Sequence, residues 1–321
     1  MAPLDLRAKP ALGAVTHDVS RRLTMAHPTA RRKREIRLAY VLLSPALLLL
    51  LAVLAYPVGW EVWTSFTDLS PLKTGAAEFV GVENYRRLAG DPDFWRAATV
   101  TVVYAAFTTV AKLVVGIGLA LLLARPFRGR ALVFLAIFLP WAYPASVSVI
   151  GWYWTLNPPI PTAYSVVMGN AKYVVDGVLG GGAWSFFSVT LFNIWRGSSF
   201  IGVFLLAGIN AVPAELFECA LLESKSAWRR FRLVTVPLLK PFLALAIFLS
   251  LTTAFADLTN VWMLTGGRIV YPIVGTQAYW LAIRGGQFGP ASALSLTLVP
   301  ILLAVLLVLF RAFDHADKER A

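Results

Sequence analysis

Carboxylates whose spacing could support chemistry lie together in residues 215–232, between two apolar segments. Glu215, Glu218 and Glu223 carry the oxygen atoms that a metal-dependent membrane enzyme, such as a lipid-linked sugar transferase, would need. They share this stretch with several arginines, and the stretch contains no DxD-like pair of carboxylates. We therefore predict no metal site and no catalytic residue here.

Other reactive side chains are scarce in the body of the chain. The histidines, His17, His27 and His315, lie near the two ends, and Cys219 is the single cysteine. This distribution argues against an imidazole or thiolate site. The chain also lacks the GxxxxGK[ST] pattern that cradles nucleotide phosphates, so we predict that it binds no cofactor and performs no ATP chemistry of this kind.

Polar residues inside apolar segments form the second candidate site, because such residues are costly in a membrane and are often functional. The candidates for a substrate path are Asn193, Trp195, Arg196, Asp257, Asn260 and Trp262. Aromatic faces with hydrogen-bonding groups suit a sugar. The simpler interpretation, which we favour for any single residue, is an Arg196–Asp257 ion pair or hydrogen bonds between helices. Lys112 lies nearer the middle of its segment than expected for a lysine reaching the membrane surface.

Composition indicates that a membrane must position these residues. The chain has 321 residues, of which 58% are hydrophobic and 14% charged, whereas soluble domains carry about 25% charged residues. Its net charge of +12 would suggest nucleic acid in a soluble protein. In this chain the positive charge is concentrated beside apolar segments, so we predict an all-α integral membrane protein that does not bind nucleic acid.

Six segments are long enough to cross a bilayer, which needs about 20 apolar residues per helix. We predict spans at about 38–60, 97–124, 131–154, 185–211, 234–262 and 291–311. Pro45, Pro57, Pro140 and Pro144 lie in or near these spans, where we expect kinks and not breaks. The predicted domains are a basic tail over 1–37, a membrane domain over 38–311 and a second tail over 312–321.

The distribution of lysine and arginine predicts the orientation of the spans. With both termini inside, the cytoplasmic segments carry 19 of these residues and the external loops carry 7. Many lie in the first 37 residues, where Met25 is a second candidate start. We therefore predict that both termini and the loop over 212–236, here called the charged loop, are cytoplasmic.

The charged loop has the pattern of a short amphipathic helix that begins near Pro213, or of two such helices with a bend near Ser224. Its apolar positions recur every three or four residues, at Phe217, Ala220, Leu221, Ser224, Trp228 and Phe231. Pro237 and Pro241 mark the return to the membrane. The pattern alone leaves open whether this helix lies on lipid or docks another protein.

The sequence ELFECALLESKSAWRRFRLVTVPLLKP (215–241) resembles the EAA loop of permease subunits of binding-protein-dependent ABC importers. The matched positions are Glu218, Ala220, Ser226, Trp228, Phe231, Pro237 and Pro241. Segments 42–68, 79–97, 138–158 and 261–267 also look like parts of maltose-type sugar permeases, and the first two look like the first of two paired permeases. The loop departs from the family at Glu223-Ser224-Lys225, where the family has Asp-Gly-Ala. Glycine would turn there at low cost, so Ser224 must adopt that conformation with a Cβ atom or the bend must shift.

The resemblance implies the type I ABC importer permease fold and its partners. These are a second homologous permease, two ATP-binding subunits that use ATP-Mg, and an extracytoplasmic binding protein, at the plasma or inner membrane of a bacterium or archaeon. The coupling residues it implies are Glu215, Phe217, Glu218, Ala220, Leu221, Glu223, Ser224, Trp228, Arg229, Phe231 and Pro237. Of these, Phe217, Ala220, Leu221 and Trp228 would form the apolar docking face.

The expected activity is import of a sugar, with a di- or oligosaccharide as the main expectation. Import of glycerol 3-phosphate or another polyol is the near alternative, since such importers share the loop pattern. The remote alternatives are a membrane sugar transferase and a secondary transporter. The latter usually needs more spans and more intramembrane acids.

Overall fold

The computed structural model describes residues 30–156, 183–265 and 272–318. Most of the predicted N-terminal tail, including Met25, lies outside these residues. The described residues are mostly helical, with one isolated antiparallel bridge between Thr67 and Phe79. The helices are α1 (Ala30–Ser65), α2 (Glu83–Gly90), α3 (Pro92–Ala124), α4 (Arg130–Ala142), α5 (Ala145–Leu156), α6 (Ala183–Ala211), α7 (Ala214–Glu223), α8 (Ala227–Arg230), α9 (Val236–Leu238), α10 (Lys240–Phe255), α11 (Leu258–Leu264), α12 (Val274–Tyr279), α13 (Phe288–Leu296) and α14 (Leu298–Lys318). Two π-helical turns, Phe231–Thr235 and Trp280–Arg284, interrupt this series.

The chain divides into two compact units, which meet in sequence between Trp60 and Glu61. In the first unit, α1 exposes a long run of leucines, including Leu47 and Leu51. Pro45 and Pro57 lie inside this unbroken helix, as the sequence predicts. A helix that exposes so many apolar side chains has the composition expected of a surface that meets lipid.

The second unit is built around α3, α6 and α10. Tyr104, Phe192 and Phe255 are buried in one apolar cluster, and Leu123 and Leu205 in another. Packing of these three helices places the polar candidates of the second, fourth and fifth predicted spans side by side.

Two glycines let α3 and α6 approach closely. A Cβ atom on Gly116 would lie 2.6 Å from Cγ2 of Ile201, and one on Gly202 would lie 3.0 Å from Cβ of Leu119. Small residues at such contacts are typical of helix pairs in membranes, where close packing replaces the hydrophobic effect as the driving force.

Among the residues that the structure describes, four helical segments are long and apolar enough to span a membrane: Arg37–Ser65, Pro92–Ala124, Ser185–Ala211 and Phe288–Val308. The number rises to six if each of two bent helix pairs forms one span. The first, second, fourth and sixth predicted spans fall on these four segments.

The prediction of kinks without breaks is wrong for the third span. Helices α4 and α5 meet at a 94° bend. Tyr143, between them, has an extended backbone with φ −71° and ψ 145°. The residue before a proline is driven out of the helical region, so Pro144 accounts for the break. Pro140, by contrast, lies within α4.

The fifth span is also interrupted, where we predicted one continuous helix over 234–262. The chain bends by 75° between Ala227–Leu238 and α10. A second interruption at Ala256 and Asp257 separates α10 from α11. This second interruption places Asp257 at the start of α11, where its carboxylate faces α3 and α6.

The second span begins with a turn and a helix cap. Asp91 precedes Pro92, the first residue of α3, and its carboxylate accepts a hydrogen bond of 2.9 Å from the backbone N–H of Asp93. Proline suits this position because its missing N–H would be unpaired there in any case.

Candidate functional site

A buried carboxylate joins three helical segments of the second unit. Asp257 is only 5% exposed. Its Oδ2 atom accepts a 2.6 Å hydrogen bond from the Tyr104 hydroxyl of α3 and another of 2.6 Å from Nδ2 of Asn193 on α6. A buried carboxylate needs such partners, because leaving it without them carries a large desolvation cost.

The expected Arg196–Asp257 ion pair does not form. The Arg196 guanidinium instead donates a 3.1 Å hydrogen bond to the backbone carbonyl of Tyr143. That carbonyl lies at the break between α4 and α5, so the interruption of the third span supplies Arg196 with an acceptor. The simpler interpretation also allowed hydrogen bonds between helices. The bond between Asn193 and Asp257 is of this kind.

Lys112 lies well inside α3 and is only 3% exposed. Its aliphatic stem passes directly over Gly197 of α6, where an added Cβ atom would collide with Cδ of the lysine. Gly197 therefore makes room for Lys112. This burial agrees with the mid-span position that the sequence predicts for Lys112.

These polar groups surround a cavity of about 250 Å³. The cavity is lined by Lys112, Trp141, Asn193, Arg196, Gly197, Phe200, Ile201, Leu249, Ser250, Thr253 and Asn260. The rings of Trp141 and Phe200 stack at 5.3 Å and supply its aromatic wall. Asn193 is 8% exposed, and its Oδ1 atom and that of Asn260 are buried without a hydrogen-bond partner.

The cavity includes three of the six predicted substrate-path residues, Asn193, Arg196 and Asn260. Asp257 is one hydrogen bond away from it, through Asn193. Trp195 and Trp262 are not among the lining residues. Trp195 packs on Trp152 at 5.5 Å, and Trp262 packs edge-on against Tyr279 at 4.7 Å, so both contribute to aromatic contacts elsewhere.

Several residues of the site were not predicted. Tyr104, Trp141 and Phe200 are ordinary aromatic residues of apolar segments, and their sequence context does not distinguish them from core residues. The hydroxyls of Ser250 and Thr109 lie 2.9 Å apart, which links α10 to α3. The sequence could have shown only that each of these two apolar segments contains a polar residue. It does not show which polar residue of another helix pairs with it.

The charged loop forms two helices that meet at Ser224. Helix α7 ends at Glu223, and Ser224 is extended, with φ −151° and ψ 128°. The Ser226 hydroxyl then caps α8 by accepting a 3.4 Å hydrogen bond from the backbone N–H of Arg229. Nη1 of Arg230 donates a 2.7 Å hydrogen bond to the Ser224 carbonyl and secures the bend. The expected strain at Ser224 is therefore absent, because an extended backbone accepts any side chain.

The predicted apolar face of this loop is divided between two surfaces. Ala220 is buried and Phe217 is half-buried, so both face the rest of the chain. Leu221 is exposed, and so are Leu222, at 90%, and Trp228, at 69%. The expected set of four therefore does not form one docking face.

The remaining predicted coupling residues lie mainly at the surface of the loop. Glu215, Glu218, Glu223 and Arg229 are exposed, whereas Phe231 and Pro237 are half-buried. The Trp228 and Phe231 rings lie 5.6 Å apart. Within the described part of the chain, no group of three or more His, Cys, Asp or Glu side chains could hold a metal ion.

Comparison with known proteins identifies the family. The trehalose transport system permease protein SugA of Mycobacterium tuberculosis is 30% identical over 288 residues, which cover 90% of this chain and 92% of SugA. The chain belongs to the sugar ABC transporter permeases. The sulfoquinovosyl glycerol permease SmoG of Agrobacterium fabrum is 33% identical, covering 87% of this chain and 91% of SmoG. The trehalose/maltose permease MalF of Thermococcus litoralis is 30% identical, covering 86% of this chain and 93% of MalF.

Solved structures show the same fold. A chain of a bacterial alginate ABC transporter, crystallised with a periplasmic protein that binds an alginate pentasaccharide, superposes with a TM-score of 0.69 at 19% identity. The match covers 88% of this permease and 96% of that chain. No protein-family model matches the chain. Permeases of this family are membrane proteins and are not themselves enzymes, since ATP hydrolysis resides in a separate chain.

Proposed function

We propose that this permease is one of the two paired membrane subunits of an ATP-driven importer. It carries a di- or oligosaccharide delivered by an extracytoplasmic binding protein across the plasma or inner membrane. Two ATP-binding subunits that use ATP-Mg provide the energy and dock on the charged loop. The relatives named above support a sugar as the substrate in preference to glycerol 3-phosphate or another polyol.

The observation that carries the coupling proposal is the exposed surface of α7 and α8. Leu222 and Trp228 are large apolar side chains that remain mostly exposed beside exposed charges of both signs. Apolar anchors surrounded by a polar rim are typical of protein interfaces. The bend at Ser224 lets α7 and α8 point in different directions, and this geometry is consistent with a loop that enters a groove.

In the same proposal, the cavity between α3, α6 and α10 is part of the sugar path. Its stacked Trp141 and Phe200 rings offer an apolar surface, and Asn193, Asn260 and Thr253 offer hydrogen-bonding groups. A sugar ring combines apolar C–H faces with hydroxyl edges, so this lining is suited to binding it.

Co-purification tests the coupling proposal. The partner ATPase and both permeases are expressed together, and the Leu222→Asp variant is compared with the wild type. We expect this variant to lose the ATPase, because a charge replaces an apolar anchor. Leu72→Asp, at another exposed leucine outside the charged loop, is the matched control and should retain it. Full ATPase recovery with Leu222→Asp and Trp228→Ala together would contradict the proposal.

A further inference from the structure

The cavity between α3, α6 and α10 carries an excess of positive charge. Lys112 and Arg196 line it, and no carboxylate does so among the described residues. We propose that this cavity binds the negatively charged group of an anionic sugar, a carboxylate, sulfonate or phosphate. This inference rests on the proposed function, because it assigns a substrate class to the same sugar path.

Lys112 has no direct counter-charge in the part of the chain that the structure describes. Its ammonium makes no hydrogen bond and no ion pair there, and Asp257 attracts it only from beyond hydrogen-bond range. Twelve residues, or about 18 Å of helix, separate it from the end of α3 at Ala124. A lysine side chain is too short to reach a membrane surface across that distance. An anion in the cavity would offset the cost of this buried cation.

Asp257 does not neutralise both cations of the cavity. Its carboxylate already accepts hydrogen bonds from Tyr104 and Asn193. One unit of negative charge beside two cations leaves a net positive charge of about one at the cavity, whose field is strong in a medium of low dielectric constant.

Arg196 is positioned at the cavity with unused hydrogen-bonding capacity. Its guanidinium donates to the Tyr143 carbonyl, which holds the side chain in place, while its Nε atom is buried without a partner. A guanidinium is only a donor, and its planar fork matches the oxygens of a carboxylate, sulfonate or phosphate.

The remaining lining suits the sugar to which such an anion would be attached. The stacked Trp141 and Phe200 rings supply an apolar face, and the unpartnered Asn193 Oδ1 and Asn260 Oδ1 atoms can accept from hydroxyls. The volume of about 250 Å³ lies near the lower end of the range for ligand pockets, about 300 Å³. It therefore suits one charged sugar unit better than a whole oligosaccharide.

Thiol labelling tests the charge preference without any transport. Cys219→Ser removes the single cysteine, and Thr253→Cys places a thiol on the exposed side of the cavity lining. The assembled transporter is treated with a sulfonate-bearing and a trimethylammonium-bearing methanethiosulfonate, and each rate is divided by that of free cysteine. We expect the anionic reagent to be favoured about tenfold, from the potential of one uncompensated charge at close range. Equal rates, or a preference for the cationic reagent, would overturn the inference.

Matched variants assign this preference to the two cations. Lys112→Met keeps an unbranched side chain that is one atom shorter and should lower the ratio of the two rates about tenfold, as should Arg196→Gln. Arg128→Gln removes an exposed cation outside the cavity and should leave the ratio unchanged. Anion preference in the isolated chain that disappears in the assembled transporter would mean that the partner permease supplies the counter-charge, and this would also overturn the inference.

Uptake by the reconstituted transporter separates this inference from the proposed function. The probes are digalacturonate, glucose 6-phosphate and the neutral sugar trehalose. We expect uptake of an anionic probe that falls about tenfold in Lys112→Met, the loss of one charge-assisted contact, and recovers in Lys112→Arg. Uptake of trehalose alone would overturn the charge preference and leave the sugar importer standing. Failure to take up any sugar with ATP would overturn both.

Discussion

The Tyr104 hydroxyl donates a 2.6 Å hydrogen bond to the Asp257 carboxylate, although 153 residues separate them in the sequence. This contact fastens the middle of α3 to the interruption between α10 and α11. Asn193 of α6 donates to the same oxygen atom. The three helical segments around the cavity therefore share one buried acceptor, and its loss should affect all of them.

Replacing Tyr104 with phenylalanine should destabilise the protein by about 1–3 kcal/mol, because a buried carboxylate loses a hydrogen bond. The measurement is thermal or denaturant unfolding of the purified complex. Tyr85→Phe is the control, since Tyr85 donates to the Ser65 hydroxyl at a half-buried site over 2.8 Å. It should cost less, about 0.5–1.5 kcal/mol. Equal losses for both variants would contradict a special role for Asp257.

Gly197→Ala should displace Lys112, because the added methyl group collides with Cδ of the lysine. We expect sugar uptake to fall several-fold while the complex still assembles. Gly151→Ala is the matched control, since a Cβ atom on Gly151 meets nothing within 4 Å. Wild-type uptake in Gly197→Ala would show that the position of Lys112 is unimportant for transport.

Gly116→Val should separate α3 from α6, because its side chain would overlap Ile201 and the backbone of Gly202. Overpacking of this kind costs about 1–3 kcal/mol. The yield of folded complex on size-exclusion chromatography provides the measurement. Gly118→Val, two residues along the same helix and with open space at its Cβ, should be tolerated. A similar yield from both variants would argue against close packing at Gly116.

The loop that follows α1 should lose the hydrogen bonds of the Asp68 carboxylate at low pH. A hydrogen bond from the Lys73 ammonium at 2.5 Å and another from the backbone N–H of Glu78 at 2.8 Å hold the pKa of Asp68 below its usual value of 3.8. A lowered pKa means that these bonds stabilise the loop above pH 3.8, and that this contribution is lost as the pH falls through the lower folded-state pKa.

Hydrogen exchange at the Glu78 amide measures this effect. Protection should decline in acid in the wild type and should be low at every pH in Asp68→Asn. Undiminished protection in that variant at neutral pH would contradict the assignment.

Composition alone located the apolar helices. The predicted spans at 97–124 and 185–211 agree closely with α3 and α6, because a run of apolar residues of that length has few other stable conformations in a membrane. The interruptions at Pro144 and Asp257 were not predicted. A proline inside an apolar run is compatible with a kink or with a break, and packing against other helices decides between them.

Pairing within the site could not be predicted from single segments. Arg196 and Asp257 carry opposite charges, and their pairing was the simplest expectation. The break at Pro144 exposes the Tyr143 carbonyl, which accepts a hydrogen bond from Arg196. The Asp257 carboxylate instead accepts hydrogen bonds from Tyr104 and Asn193. The bend predicted near Ser224 is confirmed, since α7 ends at Glu223 and Ser224 is extended. The extended conformation of Ser224 was not predicted. The Ser226 side chain caps the next helix, so the chain can turn there without a residue in the left-handed conformation.

ATP-driven sugar uptake with an altered charged loop tests the central proposal most directly. The permease pair, ATPase and binding protein are reconstituted in vesicles, and uptake is compared between the wild type and a variant lacking residues 215–232. Leu72→Asp serves as the control for a change outside this loop. We expect the wild type and Leu72→Asp to accumulate sugar only with ATP, and the deletion variant to accumulate none. Undiminished ATP-driven uptake in the deletion variant would contradict coupling through this loop.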